Sequence, residues 1–430
     1  MMADPNCSFP SIRTEIAGLP ISQLVACYET PVYVYDAAAI ERRIADLQAF
    51  DVIRYAQKAN SNLAILDLVR RCGAVVDAVS AGEIQRAMAA GFSSHGEPPP
   101  IVYTADIFDQ ESFELVLKHD LHVNCGSPDM IDQLGQVAPG RQITLRINPG
   151  FGHGHSQKTN TGGQQSKHGI WHEQLPDCLL RAERHGLGVT GIHMHIGSGT
   201  DLEHLAQVCG AMQQAATTVG RTIRSISAGG GLPVPYRPGE AYVPVDAYFD
   251  LWDRTREHLQ QQFGHAISLE IEPGRYLVAE CGYLIAEIRA VKRMGDNLFY
   301  LVDAGFNNLA RPILYGAYHP MSIAPADGNT RREQTDVVVG GPLCESGDIF
   351  TQEEGGFVCR RRLPIAGVGD FLVLEVAGAY GFVMGSNYNS KPLAAEVLVQ
   401  DGQADLIRSR QTFDDLIRGE RIPGSLPGQQ

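Results

Sequence analysis

Lysine is scarce in this chain: Lys58, Lys118, Lys158, Lys167, Lys292 and Lys391 are the whole set among 430 residues. With 35 Lys+Arg against 49 Asp+Glu the net charge is −14, and the cations are not clustered. That balance works against a phosphate-backbone partner, so no nucleic acid is expected as a ligand. Long apolar runs are missing as well. No stretch of about 18 apolar residues is available to cross a membrane, and the N-terminus lacks the basic-then-apolar order of an export signal. The expectation is a soluble, cytoplasmic protein with no membrane partner. Nine cysteines are scattered along the chain in odd number, with no Cys-x-x-Cys pair to hold zinc or do redox chemistry. Neither a G-x-G-x-x-G nor a Walker pattern occurs, so a dinucleotide or nucleoside triphosphate has no obvious cradle.

What is present is a large core. A hydrophobic fraction of 44% with 20% charged residues excludes disorder and coiled coil. Apolar or β-branched runs at 52–58, 75–80, 101–104, 122–127, 143–149, 191–197, 225–231 and 269–274 read as strands. Most are followed by a stretch of helical period, such as Ile65, Leu66 and Val69, or Ile84, Ala87 and Met88. About eight βα units is the count at which a parallel sheet closes into a barrel. The fold class expected is therefore α/β, a (β/α)8 TIM-type barrel over residues 36–275, with a doubly wound open sheet as the alternative. After Arg275 the rhythm changes to strands without helices, at 283–291, 298–302, 336–339, 371–376 and 396–399. These predict a C-terminal all-β domain over 276–430, to which residues 1–35 contribute the strand 32–35. Residues 150–169, GFGHGHSQKTNTGGQQSKHG, are too polar and glycine-rich to pack and read as a long loop after strand five.

Reactive groups of such a barrel collect where strands end and βα loops begin. Lys58 ends strand one, Asp77 lies on strand two, His193-Met194-His195 ends strand six, Gly229-Gly230-Gly231 ends strand seven, and Glu272-Pro273-Gly274-Arg275 ends strand eight. A lysine within a strand loses water, which lowers its pKa and frees the amine to attack an aldehyde; a snorkelling or ion-paired lysine is the plainer reading of Lys58 taken alone. A triple glycine lets backbone N–H groups converge on an anion, although a glycine-rich turn is usually only a turn. An aldehyde-accepting amine with a phosphate nest points to pyridoxal phosphate. Its ring nitrogen needs a carboxylate, for which Glu272 stands at the right strand end, and His195 can stack on the ring. The plainer reading of His193 and His195 is one facing into the barrel and one out; His195, lying nearer the loop, is the candidate.

The segments Tyr55-Ala56-Gln57-Lys58-Ala59-Asn60, Asp77 to Glu83, His193 to Ser198, Gly229 to Gly231, Glu272 to Arg275, Cys344-Glu345-Ser346-Gly347-Asp348 and Gly378-Ala379-Tyr380 occur in that order. Together they resemble the alanine-racemase-type, fold type III pyridoxal phosphate decarboxylases, and among them the diaminopimelate decarboxylases, over nearly the whole chain. The resemblance implies a barrel plus a β domain, pyridoxal 5'-phosphate as cofactor, and decarboxylation of meso-2,6-diaminopimelate to L-lysine, the last step of lysine biosynthesis. By the same resemblance Lys58 holds the cofactor covalently, His195 stacks on its ring and Glu272 holds the ring nitrogen. Ser198, Gly230 and Gly231 bind phosphate, and Asp77, Gly274, Arg275 and Tyr380 complete the cofactor set. Cys344 is implied as the acid that protonates the reacting carbon, reaching it from the other subunit of a homodimer with shared active sites.

For the far end of the substrate, Arg275 and Arg311 offer bidentate carboxylate forks, Glu345 a counter-charge for an ammonium, and Tyr315 and Tyr380 hydroxyls. An interface ion pair for Arg311 and a phosphate contact for Arg275 are the plainer readings. Asn308 departs from the Asp of the family pattern, and Val376-Ala377 precede Gly378 where Thr is frequent, so lysine, ornithine or arginine remain alternative substrates. An amino acid racemase on the same fold and a carrier that has lost its chemistry are further readings. A metal-dependent barrel hydrolase using His193 and His195, with His153-x-His155 as a second pair, comes from a different class; no metal is expected.

Overall fold

The computed structural model describes residues 9–152, 162–195 and 202–423. They fall into two compact units, the first made of residues 36–282 and Gly378–Val383, the second of Phe9–Tyr35, Tyr283–Ala377 and the chain from Met384 onward. The first unit thus runs seven residues beyond Arg275 and takes in a short return segment around Tyr380.

Eight parallel strands close the first unit into a barrel: Val52–Ala56, Val75–Ala78, Ile101–Ala105, His122–Cys125, Gln142–Asn148, Gly188–His193, Ser225–Ser227 and Ser268–Ile271. Closure is made where the eighth strand pairs with the first, Glu270 opposite Val52 and Ile271 opposite Ile53. The open-sheet alternative is thereby excluded. The helices outside begin where polar side chains replace missing backbone acceptors. Asn62 caps Leu63–Arg71, Ser80 caps Ala81–Ala89 and Asp109 caps Gln110–Lys118, each side-chain oxygen accepting a first-turn N–H. Their apolar faces, such as Ile65, Leu66, Leu68 and Val69, are buried against the sheet.

Below the rim the barrel is closed by charge rather than by aliphatic packing alone. Arg54 is buried and donates from Nε and Nη2 to Glu270 Oε2, at 3.1 and 3.0 Å, and from Nη1 to Pro99 O at 2.8 Å. The pair ties the first strand to the eighth, directly under the residues that end them. Loss of one member of such a buried pair typically costs about 3–5 kcal/mol.

In the second unit a mostly antiparallel sheet runs in the order Arg361–Pro364, Gln334–Gly340, Asn297–Val302, Gly282–Met294, Val32–Asp36, Ala395–Gln400, Gln403–Arg408. The strands Met321–Ala324 and Phe371–Leu374 pair with each other, and the latter also with Gly282–Met294. The strand Val32–Asp36 sits inside this sheet, between segments about 250 and 360 residues later in the chain. Its Val32 and Val34 join Ile16, Ile21, Leu24, Ile285, Val373 and Val397 in one apolar core. Among the described residues no helix is long and apolar enough to cross a membrane.

Candidate active site

Lys58 lies outside the strand in which the sequence places it. The first strand stops at Ala56, and Gln57–Ala59 form one 3-10 turn that leaves Lys58 exposed. The desolvation expected of a strand lysine is therefore absent; the turn presents the amine instead of burying it. Lys58 makes no hydrogen bond or ion pair with any described residue, while its charge acts on Asp77, Glu83 and His195. Glu83, on the helix after the second strand, is pushed up to about 7 because burial outweighs the Val79 N–H that its Oε2 accepts at 2.8 Å.

Facing this amine, the ends of strands six, seven and eight are bound together through Glu272. The Glu272 carboxylate is buried, with Oε2 2.6 Å from His193 Nε2 and Oε1 accepting from Ser227 Oγ at 3.2 Å. Burial alone would raise this carboxyl, but the His193 contact and the Arg54 charge overcome it and hold it well below the usual carboxylate range. Asp77, buried nearby, goes the other way, raised by its burial and then by the Glu272 charge. The two buried carboxyls are thus driven apart, Glu272 down and Asp77 up to about 6. Asp77 Oδ1 and His193 Nδ1 have no hydrogen-bond partner among the described residues.

His195 Nδ1 accepts from the Gly230 N–H at 2.8 Å. Its removal from water, then the Lys58 and Arg146 charges, lower its pKa well below the ordinary value, so the ring is neutral with its proton on Nε2. Both histidines thus turn into the site, at Glu272 and at Gly230, which corrects the reading of one inward and one outward. His193 Nε2 meets Glu272 and His195 Nδ1 meets Gly230, so the two rings turn to different neighbours; among the described residues no cluster of three His, Cys, Asp or Glu is placed to hold a metal.

The glycine turn is required sterically. Gly229 and Gly231 have φ of +62° and +101°. A Cβ on Gly229 would lie 2.8 Å from His195 Cβ, and one on Gly230 2.5 Å from Glu272 O. Ser198 lies outside the described residues, as do His153 and His155. Of the loop after strand five, the described part is pinned at its base: Asn148 Oδ1 accepts from Gly150 and Gly163 N–H, and His168 Nδ1 lies 2.7 Å from Asp106 Oδ2.

Gly274 comes just after strand eight and packs against Ala56, where a Cβ would meet Ala56 O at 3.2 Å. Arg275 opens the next helical turn. Its Nη1 donates to Tyr236 OH at 3.0 Å, and its guanidinium lies over the rings of Tyr236 and Tyr380. Tyr380 is brought to this rim by its backbone: its N–H donates to Ala59 O at 2.8 Å, Asn60 Nδ2 donates to Gly378 O, and Gly378 N–H donates to Ala279 O. Tyr236, Ser227 and Glu83 are site residues that sequence reasoning does not select, and it gives His193 no role beside Glu272; a period-2 count back from Gly229 would find Ser227.

Arg311, Tyr315, Cys344 and Glu345 belong to the second unit. Arg311 is buried, and its Nη1 donates to His319 Nε2 at 2.9 Å, while His319 Nδ1 lies 3.1 Å from Glu375 O. Tyr315 is partly exposed at the end of the short helix Arg311–Tyr315. Cys344 and Glu345 stand exposed on a turn whose shape is set from beneath. Asp348 accepts the N–H groups of Leu343 and Phe306, each at 2.8 Å, and Cys344 N–H donates to Asn389 Oδ1 at 2.7 Å.

Residues 37–279 match the family of pyridoxal-dependent decarboxylases, in its pyridoxal binding domain. A diaminopimelate decarboxylase of Escherichia coli (strain K12) is 54% identical over 414 residues, covering 96% of this chain and 99% of that protein. One from Streptomyces coelicolor is 53% identical over 423 residues, covering 98% and 96%. A crystal structure of diaminopimelate decarboxylase superposes with a TM-score of 0.92 at 53% identity, covering 96% of this chain and 99% of that one. The chain belongs to the diaminopimelate decarboxylase family of pyridoxal-dependent decarboxylases.

Proposed function

We propose that this chain decarboxylates meso-2,6-diaminopimelate to L-lysine and carbon dioxide with pyridoxal 5'-phosphate, the last step of lysine biosynthesis. The observation that carries the reading is the meeting, on one barrel rim, of an amine without a hydrogen-bond partner among the described residues, a turn with no room for a Cβ at Gly229 or Gly230, and a buried ionised carboxylate. These answer the aldehyde, the phosphate and the ring nitrogen of the cofactor, so the residues present fit the group.

Lys58 would hold the cofactor through its Nζ. Backbone N–H groups of the Gly229 to Gly231 turn, with Ser198, take the phosphate, and Arg275, Gly274, Tyr380 and Asp77 complete the surround. Glu272, ionised, would accept from the ring nitrogen, and His195, neutral, would pack on the ring. The chemistry supplied by the bound cofactor is an electron sink for the pair left on carbon when the carbon–carboxylate bond breaks. Cys344 Sγ gives its proton to that carbon, so one proton is taken up per carbon dioxide released. At the far end of the substrate, Arg275 and Arg311 serve the carboxylate as two-pronged donors, with Glu345 opposite the ammonium and Tyr315 and Tyr380 lending hydroxyls. Because Cys344 and Glu345 stand exposed in the second unit, we place them in the site of a second copy, making the working form a homodimer. Eight cysteines among the described residues are all free thiols, which supports a reducing, cytoplasmic setting.

The test is carbon dioxide release from meso-diaminopimelate, with lysine, ornithine and arginine in parallel. Release from diaminopimelate with lysine as product is expected. Release from one of the others alone would overturn the roles of Arg275, Arg311 and Glu345, and release from none would overturn the decarboxylase reading. The cradle has its own test. Gly230→Ala must move backbone, because the new Cβ meets Glu272 O at 2.5 Å. Overpacking of about 1–3 kcal/mol corresponds to roughly 5- to 150-fold weaker cofactor binding by equilibrium dialysis, and unchanged binding would remove the turn from the phosphate site.

A further inference from the structure

Resting on the cofactor reading above, we propose that His193 is a positioning residue, one that fixes the Glu272 carboxylate for the cofactor's ring nitrogen. The observation is a relay across three strand ends. His193 is the last residue of the sixth strand, Ser227 the last of the seventh, and Glu272 comes directly after the eighth. Each oxygen of Glu272 takes one hydrogen bond, Oε2 from His193 Nε2 at 2.6 Å and Oε1 from Ser227 Oγ at 3.2 Å. Ser227 Oγ in turn accepts the Gly229 N–H at 3.2 Å, so its hydrogen is directed at Glu272. Two donors from neighbouring strands set the plane of the carboxylate, and each oxygen keeps a lone pair for a further donor.

The two donors are unequal. The hydroxyl rotates, whereas the imidazole is 1% exposed and locked in the barrel. Its other nitrogen, Nδ1, has no hydrogen-bond partner among the described residues. An imidazole kept buried with one nitrogen unsatisfied carries a desolvation penalty, and the contact that offsets it is the one with Glu272. Without His193, Oε2 would be a buried, unaccompanied anion, and the carboxyl would favour its protonated form. A protonated Glu272 no longer prefers a cationic ring N–H, so the residue acts on the cofactor through Glu272 without touching it.

The experiment compares dissociation constants of two ligands for the cofactor-stripped protein: pyridoxal phosphate and its deaza analogue, in which a carbon replaces the ring nitrogen. The wild type should prefer pyridoxal phosphate, and Glu272→Gln should largely lose that preference. His193→Leu should lose it by on the order of tenfold or more, as expected for a hydrogen bond to a charged group. His193→Gln, whose amide nitrogen can stand near the Nε2 position, should recover part of it. A merely structural histidine would weaken both ligands alike and leave their ratio unmoved, so a wild-type ratio in His193→Leu overturns the proposal. If His193→Leu fails to fold, His193→Asn, whose amide ends short of Glu272, is read against His193→Gln by the same criterion. Equal ratios in wild type and Glu272→Gln would instead overturn the assignment of Glu272 itself, and the proposal with it. The preserved Glu272 effect with no His193 effect sinks this inference alone.

Discussion

Lys58→Ala is expected to abolish both turnover and the borohydride-reducible link to the cofactor. A covalent catalyst cannot be replaced by its neighbours unless another amine reaches the same atom. No other lysine lies near Lys58 in sequence; the next along the chain is Lys118, on an outer helix. The variant should fold normally, since Lys58 is exposed and has no hydrogen bond or ion pair with the described residues. A surface change of that kind moves stability by about 0.5 kcal/mol or less. Loss of activity can then be read as loss of the amine. The measurement is the absorbance of the loaded variant before and after borohydride, with peptide mapping of any reduced product. A stable reduced adduct on Lys58→Ala would place the link elsewhere and overturn the role of Lys58.

Much of this site is legible in the sequence because a βα barrel sorts residues by a simple rule: positions just past the C-terminal end of a strand lie on the rim. Lys58, Gly229 to Gly231 and Glu272 stand out in that way. The error at Lys58 shows the limit of the rule. An apolar run gives no signal for the point where Ala56 leaves the sheet and Gln57–Ala59 tighten into a 3-10 turn, so a presented amine reads as a desolvated one. Strands with polar faces escape notice for a related reason. Arg361–Pro364 begins with two arginines and Gln403–Arg408 is mostly solvated, and neither resembles an apolar run.

Pairings between distant residues are beyond the sequence altogether. Arg275 and Tyr236 are 39 positions apart, Cys344 and Asn389 are 45 apart, and Tyr380 reaches Ala59 across more than three hundred. Period and propensity carry no information on such contacts, and the resemblance names the residues without their supports. His193 falls between these cases. Its spacing from His195 does not tell whether the two share a face past the strand end, and an isolated histidine in a barrel is more often structural; only the 2.6 Å contact with Glu272 distinguishes it.

Cys344→Ala should lower kcat by about 10²–10⁴-fold, the usual contribution of a positioned general acid, while cofactor binding stays near that of the wild type. The separation is expected because the turn carrying Cys344 is held by its backbone. Asp348 takes the Leu343 N–H and Asn389 takes the Cys344 N–H, so the substitution removes Sγ and leaves these supports in place. Unchanged turnover would deny the thiol its role as acid. The same variant tests the shared site. Lys58→Ala and Cys344→Ala are each inactive alone, but a hybrid dimer has one site in which Lys58 of one subunit meets Cys344 of the other. In an equal mixture that exchanges freely, half the dimers are hybrids and each carries one intact site of two, so activity should recover to about a quarter of the wild type. Were both residues of a site drawn from the same subunit, every hybrid site would lack one of them. Absence of recovery, with exchange demonstrated by differently tagged subunits, would therefore assign the acid to its own chain and separate the dimer proposal from the chemistry.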